Sequence, residues 1–184
     1  MILVRAEDAD LPRLLKFRTD SAAWLGERGI DQWAKPFPAT SLLASIRRGE
    51  VYLAKPSPAE DAAATITLDR VADPRVWTPG EVAAADAMYV HKLTVDRPYA
   101  GTELGRRLLD WAGDHAARQG AAWLRLDAWS GNTRLHAYYE AAGFTHVRTS
   151  TVPGVVSGWA AQRPTRIDDG HGLVVHVPDE KRSA

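Results

Sequence analysis

The stretch from residue 95 to residue 109 constrains the fold more than any other part of the chain. An apolar run ends in a turn at Pro98, passes Gly101 and Gly105, and opens into a segment of leucines and arginines. This order predicts a strand, a tight loop and the first turn of a helix. Because a helix start presents unbonded N–H groups and the positive end of the helix dipole, it favours an anion such as phosphate. The stretch therefore predicts a phosphate-binding loop, for which the rest of the chain must supply a site.

Composition excludes several classes of protein. The 184 residues are 45% hydrophobic and 25% charged, which is typical of one globular domain with a substantial core. The formal net charge is zero, so neither nucleic acid nor a membrane surface is predicted as a partner. The absence of cysteine excludes disulfides and a thiolate nucleophile, and no His, Asp and Glu residues have metal-ligand spacing, so no metal is expected. Without a signal-like start or an apolar run of membrane-spanning length, a cytoplasmic protein is expected.

The apolar pattern predicts one domain over residues 1–178 and a flexible tail over residues 179–184. Its elements follow the order strand, two helices, several strands, helix, strand, helix and two strands. We therefore predict the α/β (α+β) class, with a mixed, mostly antiparallel sheet of six to seven strands and helices on both faces. Residues 69–84 and 150–169 are predicted to be irregular, and the length of the second stretch indicates a lid or a contact within a homodimer.

The strand predicted over residues 86–95 carries a change of phase. Its apolar members fall at even positions up to Val90 and at odd positions from Leu93 onwards. Because side chains alternate along a strand, an extra residue produces such a shift. We predict a β-bulge between these two residues.

A second pattern lies about thirty residues after the first. It consists of Leu126 and Asp127, then Asn132, then the sequence YYEAAGF at residues 138–144. In order and spacing, the two patterns resemble the adjacent motifs of the GNAT acetyltransferases, and the flanking elements fit that fold along almost the whole chain. The resemblance implies the GNAT fold and the transfer of an acetyl group from acetyl-CoA to a primary amine of a small molecule or peptide, without a metal.

The resemblance also implies a cofactor site. Leu93, Thr94 and Val95 would pair with the amides of pantetheine as if with a neighbouring strand, and the N–H groups near Leu93 would meet the negative charge that develops on the carbonyl oxygen. The full predicted set of cofactor-binding residues is Leu93, Thr94, Val95, Gly101, Thr102, Glu103, Leu104, Gly105, Arg106, Asn132 and Tyr139.

The loop departs from the family pattern at two positions. Ala100 stands where a Gln or Arg is usual, and Glu103 replaces the first glycine of the closing pair. A carboxylate about 5 Å from a phosphate costs roughly 3 kcal/mol at an effective dielectric near 20, and less in water. The nearby arginines, which either offset this charge or form an ordinary solvated face, are Arg97, Arg106 and Arg107.

Tyr139 takes the position of the general acid in this resemblance, where it would protonate the departing thiolate of coenzyme A. A phenol with an ordinary pKa near 10 can donate to a thiolate. Asn132 lies seven residues earlier, about two helical turns, and takes the position that touches pantetheine. The alternatives are that Asn132 only caps the helix and that Tyr139 only packs in the core.

The attacking amine must also lose a proton. Asp127 lies where some family members place a carboxylate base, while its strand face, shared with Arg125, makes an ion pair the alternative. His91 and Asp86 are competing candidates that would act through water. On the acceptor side, we expect Trp24, Trp33 and Trp159 to line the substrate site.

Two rival hypotheses remain at this stage. One is a GNAT fold without catalysis that serves as a binding or regulatory module, which Ala100 and Glu103 favour. The other is an acyltransferase with a different acyl donor, such as a longer CoA thioester or an aminoacyl-tRNA. The zero net charge argues against a tRNA donor.

Overall fold

The structure is a computed structural model that describes residues 1–30, 33 and 38–176. The predicted flexible tail at 179–184, and most of the loop predicted around Pro36, lie outside the described residues. Among the described residues, eight strands form one sheet. They are β1 (Ile2–Arg5), β2 (Val51–Lys55), β3 (Ala64–Asp69), β4 (Ala87–Val95), β5 (Trp123–Ala128), β6 (Thr145–Thr149), β7 (Trp159–Pro164) and β8 (Val174–His176).

The strands lie in the order β6-β7-β5-β4-β3-β2-β1-β8. Pairing is parallel for β1 with β8 and for β4 with β5, and antiparallel elsewhere, as predicted. The predicted six to seven strands were too few. The additional strand is β7, which lies inside the stretch 150–169 that was predicted to be irregular. Its Ala160 and Ala161 are weak strand formers, and this segment is a strand because β5 and β6 flank it on both sides.

The part of the chain that the structure describes also contains five α-helices. They are α1 (Leu11–Gly26), α2 (Ala39–Arg47), α3 (Pro79–Ala84), α4 (Leu104–Arg118) and α5 (Thr133–Ala141). The short α3 corrects the prediction of a loop over residues 69–84. Thr78 and Glu81 form a capping box, in which each side chain accepts a hydrogen bond from the other residue's N–H group, and Pro79 occupies the first turn. No helix within residues 1–30, 33 and 38–176 is long and apolar enough to cross a lipid bilayer.

The helices cover both faces of the sheet, as predicted. On one face, which we call the α4 face, α4 and α5 pack on the alternate strand residues that include Tyr52, Ile66 and Leu126. Full burial of α4 side chains such as Leu108 and Trp111 stabilises this packing by roughly 1.5–3 kcal/mol each. On the other face, the α1 face, α1 and α2 pack over the side chains that include Val51 and Leu53.

The sheet opens at its centre. β4 and β5 pair from Ala87 beside Trp123 as far as Val90 beside Leu126. Both strands continue beyond this point, to Val95 and Ala128, but the described residues show no further pairing between them. β4 stays paired with β3 over the same length, so the gap separates the sheet into two parts.

Candidate active site

The predicted β-bulge in β4 is confirmed, and it lies beside the central gap. Thr67 is opposite His91 and Thr65 is opposite Thr94, so β4 contains one extra residue between these two pairs. Lys92 has a φ of 52°, in the left-handed region that side-chain-bearing residues rarely adopt. The extra residue therefore bends β4 at the point where its pairing with β5 ends.

The bulge leaves one edge of β4 available for pairing. The Asp96 N–H group donates to the Ala63 carbonyl at 2.8 Å, on the side of β3. Because backbone groups alternate between the two edges of a strand, those of Val95 and Leu93 are directed towards the gap. An extended molecule with amide groups can pair with this edge as a further strand would.

The loop after β4 ends at a helix start, as predicted. Gly101 has a φ of 80°, and the Thr102 hydroxyl donates to the Tyr99 carbonyl at 2.7 Å, which fixes the turn. The first bond of α4 runs from the Arg107 N–H group to the Glu103 carbonyl at 2.9 Å. The N–H groups of residues 104–106 therefore point out of the helix end, where an anion is favoured.

Glu103 occupies the position that most needs a glycine. Its φ is 58° and its ψ is 6°, so an exposed glutamate holds a left-handed backbone at the N-cap of α4. The three nearby arginines interact with other groups. Arg106 contacts Asp110 at 3.2 Å and donates to the Ala141 carbonyl at 2.9 Å. If Arg106 contacts the cofactor as predicted, it does so through its backbone N–H group, because its guanidinium interacts with Asp110 and with the Ala141 carbonyl.

The other two arginines hold neighbouring segments. Arg107 donates to the His171 carbonyl at 3.0 Å and also to the Gly172 carbonyl. Arg97 stacks on Trp24, with its guanidinium carbon 4.2 Å from the ring centroid. The hypothesis that these side chains offset the charge of Glu103 therefore has no support in their contacts.

Tyr139 lies on α5 with 9% of its surface exposed, on the α4 face next to the gap. Its ring packs against Phe144 and Trp159, with centroids 5.8 and 6.4 Å away. Burial, with smaller contributions from Tyr138 and Asp127, raises the pKa of its hydroxyl above the ordinary tyrosine value. The phenol therefore keeps its proton at neutral pH and can act as a donor.

Two further residues, at the start of α5 and within it, bear on the predicted cofactor site. Asn132 is the N-cap of α5, and its Oδ1 accepts the Leu135 N–H group at 3.0 Å, so its capping role is confirmed. Its cofactor contact stays a prediction. Tyr138 reaches across to α4, where a Cβ atom on Gly105 would lie 2.7 Å from the Tyr138 hydroxyl oxygen. Tyr138 carries no local signal for this position in the sequence, because only the packing of α5 against α4 brings it to this loop.

Asp127 and His91 both lie on the α1 face, near the point where β4 and β5 separate. Val90 and Leu126 are the last paired residues, so the next residue on each strand begins the gap. Burial, the largest cause, raises the pKa of Asp127 above the ordinary aspartate value, against the opposing charge of His91. The alternative of an ion pair with Arg125 is wrong, because Arg125 donates to Gln162 at 3.0 Å and to the Tyr89 hydroxyl at 3.1 Å.

His91 has a carboxylate partner that sequence reasoning missed. Its Nε2 lies 3.3 Å from Oδ1 of Asp69, on β3. Burial alone would raise the pKa of Asp69, but the hydrogen bonds from His91 and from the Val71 N–H group outweigh it, and the pKa is lowered. An ionised Asp69 can orient the His91 ring. Asp86, the third candidate base, precedes β4 about 20 Å from the bulge, given the rise per strand residue.

The predicted substrate tryptophans occupy three different environments. Trp24 lies between the guanidinium groups of Arg28 and Arg97, at 4.0 and 4.2 Å from its ring centroid. Trp33 lines a cleft under α1. Trp159 is buried beside Tyr139 and stacks between His136 and His146. Trp77, a further tryptophan that the sequence offers for an aromatic wall on the acceptor side, packs on the buried Arg125, 4.8 Å from its guanidinium carbon. Among the residues described, no three His, Asp or Glu side chains come together to hold a metal ion.

Comparisons with known proteins match the chain to one family. The model of the acetyltransferase (GNAT) family matches residues 21–144. The chain is 32% identical over 144 residues to a Bacillus subtilis (strain 168) protein described as the uncharacterized N-acetyltransferase YesJ, covering 75% of this chain and 77% of that protein.

Two solved structures show the same fold. A GNAT-family acetyltransferase from Listeria monocytogenes matches with a TM-score of 0.74 and 21% identity, over 89% of this chain and 94% of that chain. The PaiA N-acetyltransferase from Thermoplasma acidophilum, in complex with coenzyme A, matches with a TM-score of 0.67 and 17% identity, over 88% and 97% of the two chains. The family match over residues 21–144, together with this fold, shows that the chain belongs to the GNAT family of acetyltransferases.

Proposed function

We propose that the chain transfers an acetyl group from acetyl-CoA to the primary amine of a small molecule or peptide, by direct attack of the amine on the thioester. The observation that carries this proposal is the central gap. An unpaired edge of β4 and an open helix start lie on one side of it, and Asp127, His91 and Tyr139 lie around it.

The residues around the gap fit acetyl-CoA. The Leu93 and Val95 backbone groups can pair with the pantetheine amides, and the N–H groups of residues 104–106 can receive the pyrophosphate. Glu103, the N-cap residue of α4, opposes binding because it brings a negative charge to this helix start. When bound, acetyl-CoA supplies the acetyl group as an activated thioester.

The side chains then divide the proton transfers. The amine nitrogen bonds to the acetyl carbon and loses a proton to Asp127, or to His91 held by Asp69. N–H groups at the bulge stabilise the carbonyl oxygen while it carries negative charge. The carbon–sulfur bond breaks, and the Tyr139 hydroxyl gives its proton to the sulfur. The proton taken up by the base then returns through water to the Tyr139 phenolate, so both groups are restored. The products are an N-acetylated amine and the free thiol of coenzyme A.

The raised pKa of Asp127 favours it as the base. A carboxylate with an ordinary pKa holds a proton poorly at neutral pH, whereas a buried one holds it better and so accepts it more readily from an ammonium group. Asp127 lies beside the gap, whereas Asp69 is already engaged with His91.

The first experiment is calorimetry with acetyl-CoA, followed by a screen of primary amines in which the released thiol is measured. Binding together with amine-dependent thiol release supports the proposal. No binding at millimolar acetyl-CoA contradicts it and favours a binding or regulatory module. Binding of acetyl-CoA without transfer to any amine, but turnover of a longer CoA thioester, favours a different acyl donor.

A further inference from the structure

The hydroxyl group of Tyr138 lies against the first turn of α4. A Cβ atom placed on Gly105 would lie 2.7 Å from this hydroxyl oxygen and 3.5 Å from Cγ2 of Val95. Because the Cα–Cβ bonds of a helix tilt towards its N-terminus, a group at that position lies on the N-terminal side of Gly105. The hydroxyl is therefore located where the open start of α4 meets the end of β4.

Packing alone does not require this hydroxyl. Tyr138 is 39% exposed, and its ring meets the ring of Tyr139 edge-on, with the centroids 5.5 Å apart. A phenylalanine would make the same ring contact. Within residues 1–30, 33 and 38–176, no protein group forms a hydrogen bond with the Tyr138 hydroxyl. Its O–H group is therefore available to a ligand at the start of α4.

The surroundings of Tyr138 keep its hydroxyl protonated. Burial is the largest cause that raises the pKa of this hydroxyl above the ordinary tyrosine value. Among the nearby charges, Glu103 and Asp110 raise the pKa further. Arg106 and Arg163 oppose them, but they do not outweigh burial. The phenol therefore keeps its proton at neutral pH and donates a hydrogen bond without adding a charge.

The side chains of residues 100–106 that can donate hydrogen bonds have partners within the protein. The Thr102 hydroxyl donates to the Tyr99 carbonyl at 2.7 Å, and the Arg106 guanidinium interacts with Asp110 at 3.2 Å. Ala100, which stands where a Gln or Arg is usual, has no side-chain donor. A donor from α5 would supply what the side chains of this loop do not.

We propose that Tyr138 is a cofactor-binding residue, whose hydroxyl donates a hydrogen bond to the pyrophosphate of the acyl donor at the start of α4. This inference rests on the proposed use of acetyl-CoA and adds a specificity-determining side chain to its site. Tyr138 favours donors that carry a pyrophosphate over pantetheine thioesters that lack one, and it offsets part of the repulsion from Glu103. Consecutive residues of α5, Tyr138 and Tyr139, thus act on the phosphate end and on the thioester end of one cofactor.

The test measures the dissociation constants of the wild type and of Tyr138→Phe for coenzyme A, dephospho-coenzyme A and pantetheine. Dephospho-coenzyme A keeps the pyrophosphate and lacks only the ribose phosphate, whereas pantetheine has no phosphate. Calorimetry serves for the first two ligands and NMR titration for pantetheine, which binds most weakly. We expect Tyr138→Phe to bind the first two about tenfold more weakly, the lower end for a hydrogen bond to a charged group, because Tyr138 is partly exposed. The affinity for pantetheine should stay within about twofold, since it has no phosphate to accept the bond.

Two control variants separate the hydroxyl from the packing of α5. Tyr138→Leu lacks the ring as well as the hydroxyl, so it should bind coenzyme A about as weakly as Tyr138→Phe, although it should melt at a lower temperature. Glu140→Gln changes an exposed residue of the same helix, about 200° around the helix axis from Tyr138, and should leave the affinity within about twofold.

The results distinguish this inference from the proposed function. Equal affinities of the wild type and Tyr138→Phe for coenzyme A would overturn the inference and leave the proposed function standing. A loss for pantetheine as large as that for coenzyme A would also overturn it, because the hydroxyl would then act on a part of the cofactor without phosphate. So would a loss confined to coenzyme A, which would place the hydroxyl at the ribose phosphate. A wild-type protein that binds no coenzyme A would contradict both proposals.

Discussion

Glu103 offers the sharpest test of how the cofactor loop works. This glutamate combines two features that can be removed separately, an exposed carboxylate beside the helix start and a left-handed backbone. Glu103→Gln removes the charge and keeps the backbone strain, whereas Glu103→Gly removes both. Comparison of the two variants therefore divides the effect of the side chain into an electrostatic and a conformational part.

The two parts have different magnitudes. At about 5 Å from a phosphate, a carboxylate in water-like dielectric costs about 0.8 kcal/mol, so Glu103→Gln should bind coenzyme A roughly fourfold more tightly. A left-handed backbone costs a residue with a side chain about 1 kcal/mol, which glycine does not incur. Glu103→Gly should therefore melt about 2–4 °C above Glu103→Gln. Both variants lose the favourable interaction of the carboxylate with the helix dipole, so that loss cancels between them.

The assay is calorimetry with coenzyme A at low and high salt, with a thermal melt of each variant. The gain in affinity should shrink as salt is added, because the interaction is between exposed charges. An unchanged dissociation constant for Glu103→Gln at low salt would show that the carboxylate points away from the phosphates. Equal melting temperatures for the Gln and Gly variants would refute the strain argument.

Three further predictions concern the gap and its surroundings. Tyr139→Phe should lower kcat by about a hundredfold or more. Its affinity for coenzyme A, measured by calorimetry, should stay within about twofold of the wild-type value. An unchanged kcat would exclude Tyr139 as the general acid. The pKa of Asp127 is raised in the folded protein, so ionising this residue lowers the free energy of unfolding as the pH rises from the ordinary aspartate pKa through the raised one. Asp127→Asn should therefore have the larger free energy of unfolding at pH 7, and the difference from the wild type should vanish in acid. Equal free energies of unfolding for the two proteins at both pH values would contradict this. The same variant should lose the acid limb of the pH–rate profile. Gly105→Ala should lower the free energy of unfolding by about 1 kcal/mol, because the Cβ atom of the new alanine would lie 2.7 Å from the Tyr138 hydroxyl oxygen. Adding Tyr138→Phe to this variant should restore part of that loss, as measured by denaturant unfolding.

The elements around the site could be predicted because their signals are local. The glycines and leucines of residues 101–109 predicted the start of α4, and the phase shift between Val90 and Leu93 predicted the bulge. The motif at residues 138–144 identified the family, which the match over residues 21–144 confirms. In each case the conformation depends on residues that are close together in the chain.

The missed features depend on neighbours that are distant in sequence. β7 is a strand because β5 and β6 flank it, although Ala160 and Ala161 have little preference for strands. Asp69 meets His91 only through the register of β3 with β4, 22 residues later in the chain. α3 is different, because the Thr78 and Glu81 capping box was present in the sequence but was outweighed by the proline and glycine beside it.

The gap between β4 and β5 also affects the stability of the protein and its resistance to proteolysis. Within residues 1–30, 33 and 38–176, the two parts of the sheet share only the short ladder from Ala87 to Val90, and no described strand pairs with the edge beyond it. A ligand that pairs with this edge supplies the missing contacts to the folded state alone, and at a hundred times its dissociation constant it adds about 2.7 kcal/mol to the free energy of unfolding. We expect amide hydrogen exchange along Leu93–Val95 to slow markedly when acetyl-CoA is added. A shortage of the acyl donor would then reduce the lifetime of the protein against proteolysis as well as its rate of turnover.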